Sequence, residues 1–214
     1  MNKAYGLDIP VTPEEVCHPD RMALLVYDMQ AGIVHQALNA QRVTSNVVSV
    51  IAAARKGGYR IFFSRHLSLP NQAAGVSQLR TAMAWQRKDK AEETKPSFPR
   101  DSPQARIIPE VTPLESEVIF DKLGMSFFVG TPLEMALRDC GISAVAIVGV
   151  VLEVGIEPTI RHAADLGFLP VLIADACGSV NEAARKRSLD ALTFSGSIVT
   201  DSATVCGFLP QGGQ

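Results

Sequence analysis

Apolar and polar positions along the chain fall into two textures that take turns. Six short apolar runs recur: "MALLVYD" (22–28), "YRIFFSRH" (59–66), "SEVIFDK" (116–122), "AVAIVGVV" (144–151), "LPVLIADAC" (169–177) and "SIVTD" (197–201). Each is bounded by polar or turn residues, the pattern of strands buried on both faces. Between the runs, apolar positions return at three- and four-residue spacing. In "TSNVVSVIAAARKGG", Val47, Val48, Ile51 and Ala52 share one face, and Gly57-Gly58 supplies the stop. "TPLEMALRDCG", "EPTIRHAADLG" and "NEAARKRSLDALTF" read as helices in the same way. Parallel strands need crossover segments, so the alternation predicts an α/β fold, a doubly wound six-stranded parallel sheet in a three-layer α/β/α arrangement.

Residues 67–109 break the rhythm. "VSQLRTAMAWQRK" has helical spacing, whereas "PSFPRDSPQARIIPEVTP" is proline-rich and reads as an ordered loop. Insertions this long in compact domains are usually functional or disordered, and this one is expected to serve the active site or a dimer contact. Residues 1–20 form an N-terminal extension. The whole of 1–214 is expected to be a single domain, a length suited to one core.

Composition narrows the partners. Hydrophobic residues make up 47% and charged residues 20% of the chain, as in ordinary globular proteins. Twenty basic against 22 acidic residues give a net charge of -2, and no basic run accompanies an aromatic stacking motif, so nucleic acid is not an expected partner. The densest charge run, "RKDKAEETK" (87–95), mixes both signs and reads as a solvated face. No apolar run approaches the ~18 residues that span a bilayer, and the first residues lack a signal-peptide core, so no membrane partner and a cytoplasmic location are expected. Cys17, Cys140, Cys177 and Cys206 are far apart and read as free thiols. The glycines make no phosphate-cradling motif, and no cofactor is expected. The predicted ligand is a small-molecule substrate.

In open parallel sheets ligands bind beyond the carboxyl ends of the strands. Asp28 ends the first apolar run and Lys122 the third. Side by side they would form an ion pair under the cleft, each tuning the proton affinity of the other; singly, Asp28 could be a helix N-cap and Lys122 a solvated strand end. The third place is the corner in "VGVVLEVGIEPTIRHAADLGF" (148–168). There the N–H groups of Val154, Gly155 and Ile156 are expected to face the cleft and to bind a carbonyl oxygen or carboxylate; a helix start without a ligand is the alternative.

"LLVYDMQAGIV", "KLGMSFFVGTPLEMALRDCGI" and "AVAIVGVVLEVGIEPTIRHAADLGFLPVLIADACGS" resemble the signature segments of the isochorismatase-like hydrolase superfamily, over about Met22 to Thr200. The resemblance implies a strand order of 3-2-1-4-5-6 and an active site between strand ends, often completed by a second subunit, hence a homodimer or homotetramer. In the amidase members an aspartate, a lysine and a cysteine make the catalytic triad. Asp28 and Lys122 match the first two, and the position of the nucleophile falls on Gly155. Without a thiolate no thioester can form; of the other thiols, Cys177, past the next strand, is the one that could approach the cleft. True isochorismatases also carry glycine there and hydrolyse a vinyl ether with the aspartate as acid, but typically show "HDMQ" and "GVYAH-x-G" where this chain has "YDMQ" and "GVVLEVG".

Glu153 and Glu157 bracket Gly155. Glu157 reads as a partner of the helix dipole, while Glu153 is expected to line the cleft or to pair at a subunit contact. The nicotinamidases hold a metal through an Asp-x-His and a second histidine after the second strand. "SRHLSLPNQ" offers only His66, so no metal is expected. Gln30, Arg65, Trp85 and Phe127 are expected pocket walls. The prediction is a small-molecule hydrolase without a cysteine nucleophile, using Asp28 and Lys122 on a small amide, carboxylate or enol ether. Two alternatives stay open: an inactive ligand-binding homologue, and a cysteine amidohydrolase whose nucleophile has been replaced at position 155.

Overall fold

The extension before the first predicted strand has structure of its own. In the computed structural model, which describes residues 1–208, strands β1 (Asn2–Ala4) and β2 (Leu7–Ile9) form an antiparallel hairpin. Tyr5 and Gly6 turn it, both with positive φ, the backbone that suits a two-residue hairpin loop. A single-turn helix α1 (Pro13–Val16) follows, with Thr12 and Glu15 closing a capping box. Residues 209–214, the end of the expected domain, lie outside the described residues.

The main body alternates as the apolar runs predict: β3 (Met22–Tyr27), α2 (Ala31–Val34), α3 (Ala40–Lys56), β4 (Arg60–His66), α4 (Val76–Gln86), β5 (Val118–Lys122), α5 (Leu133–Asp139), β6 (Ala144–Val150), α6 (Glu157–Asp165), β7 (Leu169–Gly178), α7 (Glu182–Phe194), β8 (Ile198–Thr200) and α8 (Ser202–Phe208). The short α2 and α8 carry too little periodicity to be read from sequence. The six strands β3 to β8 make one parallel sheet in the order β5-β4-β3-β6-β7-β8, the expected 3-2-1-4-5-6 when its strands are counted along the chain. The direction of winding reverses between β3 and β6, which opens a crevice at their carboxyl ends. Among the described residues no helix is long and apolar enough to cross a membrane.

All six residues of β3 are buried, because both faces of the sheet are covered. Leu24 and Val26 pack with α3 and α8 on one face, while Ala23, Leu25 and Tyr27 pack with α5, α6 and α7 on the other. This is the two-residue alternation of a strand serving two cores at once. The insertion at 67–109 is ordered, as α4 and a series of single-turn 3-10 segments. An antiparallel bridge between Gln30 and Ile107 ties its end to the sheet.

Where β3 meets β6, Tyr27 is paired with Gly149. Gly149 has φ +126, and a Cβ on it would lie 2.8 Å from the Tyr27 nitrogen and 2.9 Å from its carbonyl carbon. Both the backbone angle and the approach of the strands demand glycine. Gly149→Ala is therefore expected to lower the free energy of unfolding by about 3 kcal/mol or more, measured by urea denaturation; a loss under about 1 kcal/mol would show that the two strands can part without cost.

Candidate active site

The crevice is built on the last residues of β3 and β5. Asp28 follows β3 with φ +44, a left-handed backbone uncommon outside glycine and frequent at functional sites. Ser64 of β4 fixes it there: its hydroxyl donates to Asp28 Oδ1 at 2.5 Å and accepts the Asp28 N–H at 3.1 Å. Lys122, the last residue of β5, reaches past β4 and donates from Nζ to Asp28 Oδ2 at 2.8 Å. The other Nζ contacts are the Tyr27 hydroxyl at 2.8 Å and the Gly124 carbonyl at 3.2 Å, and the ammonium lies 4.3 Å from the centre of the Tyr27 ring. Every Nζ donor thus has a partner, which a buried ammonium requires.

Burial and charge oppose each other here. Burial pushes the Lys122 ammonium below its ordinary pKa, and the Asp28 carboxylate pulls it back up. Burial, with the Asp28 charge beside it, raises the Tyr27 phenol well above its ordinary value, so Tyr27 stays protonated and its hydroxyl donates to the Met125 carbonyl. A cavity of about 410 Å³ opens in front of this group, lined by Tyr27, Asp28, His66, Trp85, Phe98 and Gly155 among others. Lys122, its side chain fully buried, stands behind Asp28 and Tyr27.

The corner after β6 differs from its sequence expectation. Leu152–Ile156 form one wide helical turn in which the N–H groups of Gly155 and Ile156 both bond to the Val151 carbonyl, at 3.0 and 3.2 Å. A turn that closes on its own carbonyl leaves neither donor free for a ligand. The Ile156 side chain is packed in the core, while Val154 and Gly155 line the cavity. At Gly155 a side chain has no room: a Cβ there would overlap the Tyr27 hydroxyl and lie 2.6 Å from Tyr27 Cε1.

The expected wall residues divide. Trp85, half-exposed on α4, does line the cavity. Phe127 is fully buried and meets the Tyr27 ring edge-on, with centroids 6.4 Å apart; it supports the wall from behind. Arg65 turns to its register neighbour Asp121 and forms a two-pronged ion pair at 2.6 and 3.0 Å. Gln30 is fully buried and clamps backbone: it accepts from His66 N–H at 2.6 Å and donates to the carbonyls of His66 and Ala105 at 3.0 and 3.1 Å. Glu153 accepts the Val180 N–H at 3.0 Å, and its other oxygen is buried without a hydrogen-bond partner among the described residues.

None of the four cysteines lines the cavity. Cys177 is fully buried with its thiol directed at the Ile147 carbonyl, 3.5 Å away, and burial raises its pKa. Cys17 is likewise pushed up to about 12 by burial. Residues that sequence reasoning passed over are Tyr27, Ser64 and Met125. Tyr27 stands in the same "YDMQ" as Asp28, but strand alternation places neighbours on opposite faces; only the left-handed turn at Asp28 brings both to one cavity.

Against known proteins, the family model described as isochorismatase domain matches residues 22–204. The chain is 28% identical over 179 residues to the isochorismatase family protein YecD of Escherichia coli O157:H7, covering 78% of this chain and 85% of that one. It is 27% identical over 223 residues to the ureidoacrylate amidohydrolase RutB of Variovorax paradoxus (strain S110), covering 94% and 87%. A cysteine hydrolase from Pseudomonas syringae pv. phaseolicola 1448A has the same fold, with a TM-score of 0.80 at 21% identity over 91% of this chain and 94% of that one.

His66 carries the clearest pH signature of the site. Its Nδ1 is buried without a hydrogen-bond partner among the described residues; burial first, then the nearby Lys122 charge, lower its pKa to about 4, with Asp28 opposing. The unfolded chain takes up this proton near 6.5, the folded chain only near 4. The neutral ring's contribution is therefore whole above pH 6.5 and is lost as pH falls toward 4, by about 3 kcal/mol in all. Denaturation at stepped pH is expected to show this loss in the native protein and a flatter curve between pH 6.5 and 4 in His66→Gln; parallel curves would contradict it.

Proposed function

The chain belongs to the isochorismatase family, and from that premise we propose that it is a small-molecule hydrolase in which water, activated by Asp28, replaces the cysteine nucleophile. The observation that carries the reading is at position 155. The Asp28–Lys122 pair is in place at 2.8 Å, while the space for a nucleophile's side chain is taken by the Tyr27 hydroxyl. This also speaks against a replaced cysteine, because restoring one at Gly155 would drive its Cβ into the phenol.

Asp28 has the capacity for the proton work. Each carboxylate oxygen accepts one bond, from Ser64 or from Lys122, which leaves further lone pairs for a water in the cavity. Asp28 takes a proton from that water as its oxygen attacks a carbonyl carbon; the same proton then passes to the leaving nitrogen, the C–N bond breaks, and an acid and an amine leave. An enol ether would use the groups in reverse order, with the proton delivered to the vinyl carbon before water adds. The relative from Variovorax paradoxus is a ureidoacrylate amidohydrolase, which favours amides and ureas as the first substrates to try.

A panel of small amides, ureas and enol ethers offered to the purified protein is expected to reveal turnover that falls by roughly 10³-fold in Asp28→Asn and is unchanged after treatment with iodoacetamide. Loss of activity on alkylation, or full activity in Asp28→Asn, would sink the water-attack reading. A compound that raises the melting temperature and is recovered intact would mark a binding protein instead.

A further inference from the structure

Tyr27 is 2% exposed, yet it is the residue around which the site is arranged. Its hydroxyl lies where a side chain on position 155 would begin, and its ring edge follows the same path. The corner cannot back away to make room. The Gly155 N–H is bonded to the Val151 carbonyl at 3.0 Å, and the Gly155 carbonyl accepts the Thr159 hydroxyl at 2.7 Å. Thr159 in turn accepts the Phe127 N–H at 3.0 Å. On the other side, the Tyr27 backbone is pressed against Gly149. Tyr27 is therefore held between two glycines, its backbone against Gly149 and its phenol against Gly155, with the phenol oxygen 2.8 Å from the Lys122 ammonium.

We propose that Tyr27 is a positioning residue of this site: its hydroxyl takes the place of the position-155 side chain and holds Lys122 against Asp28, so that a long phenol at 27 and any side chain at 155 exclude each other. The functional meaning of this arrangement rests on the hydrolase reading above. A neutral hydroxyl suits the role. With its own proton on the Met125 carbonyl, it offers Lys122 a lone pair without adding a second negative charge beside Asp28. It also fills the volume from which a nucleophile would attack, which leaves the cavity in front of Asp28 to water and substrate.

The test needs no substrate, so it can fail while the hydrolase reading stands, and the reverse. Gly155→Ala is introduced into the native chain, into Tyr27→Phe and into Tyr27→Leu, and thermal unfolding is compared within each background. Overpacking is expected to cost roughly 4–10 °C in the native and Tyr27→Phe backgrounds, since the ring persists in both, and under about 2 °C in Tyr27→Leu. Equal losses in all three would overturn the exclusion. The positioning role is read separately from the Cε resonance of Lys122 in protein carrying 13C-labelled lysine, titrated with pH in the native protein and in Tyr27→Phe. Removing one acceptor from the ammonium disfavours its charged form, so the Lys122 pKa is expected to drop by about one unit. An unmoved titration would reduce Tyr27 to packing and overturn the positioning role.

Discussion

The site depends on one buried ion pair made across a strand. Lys122 and Asp28 end β5 and β3, and β4 runs between them, so with strands about 4.8 Å apart their backbones are separated by roughly 10 Å. Only a long side chain on one partner can close that distance, and only a small residue between them lets it pass. Ser64 on β4 meets the second condition and adds a hydroxyl that bonds Asp28 on the way. Taking both charges out of water costs several kcal/mol for each, and removing one partner leaves the other uncompensated. The surrounding bonds from Ser64, Tyr27 and the Gly124 carbonyl make the pair tolerable at this depth.

That requirement propagates into the neighbouring strand. To put its hydroxyl beside the ammonium, Tyr27 must lie flat along β6 and the turn after it, and both places are glycine where it touches them. Gly149 admits the Tyr27 backbone and Gly155 its hydroxyl. The missing side chain at position 155 is thus complementary to a side chain supplied from β3. The wide turn Leu152–Ile156 closes on the Val151 carbonyl, which holds the corner at the spacing the phenol needs.

Much of this frame is legible in the sequence. The apolar runs mark the six strands, and Asp28, Lys122 and Gly155 stand out because each ends or follows such a run. What escapes is whatever depends on register or on a single backbone angle. Arg65 has the makings of a wall residue until pairing sets it opposite Asp121, and Gln30 until its amide is found bonded to both polar groups of the His66 backbone. Tyr27 and Asp28, adjacent in a strand, belong on opposite faces by alternation; the positive φ at Asp28 overrides that rule. The N-terminal hairpin is too short and too polar to announce itself, and its Tyr5-Gly6 turn puts tyrosine at a positive φ where such loops favour Asn, Asp or Gly.

A site without a covalent step places a different load on its walls. When a nucleophile forms a bond to the substrate, that bond holds the acyl group for the second half of the reaction. When water attacks, the substrate must be held in reacting geometry by contacts alone, and orientation of that kind can supply several kcal/mol of the barrier. On this chain the insertion supplies part of that wall. Trp85, Gln86, Ser97, Phe98 and Gln104 bring it to the cavity, and the Gln30–Ile107 bridge and the Gln30 amide bonds to His66 and Ala105 fasten it to the strand ends. The segment that interrupts the α/β rhythm is thus anchored to the sheet within two residues of Asp28. Under the proposed water attack such anchoring becomes a functional demand, since a wall that drifted relative to the base would lose the alignment that no covalent bond is there to keep.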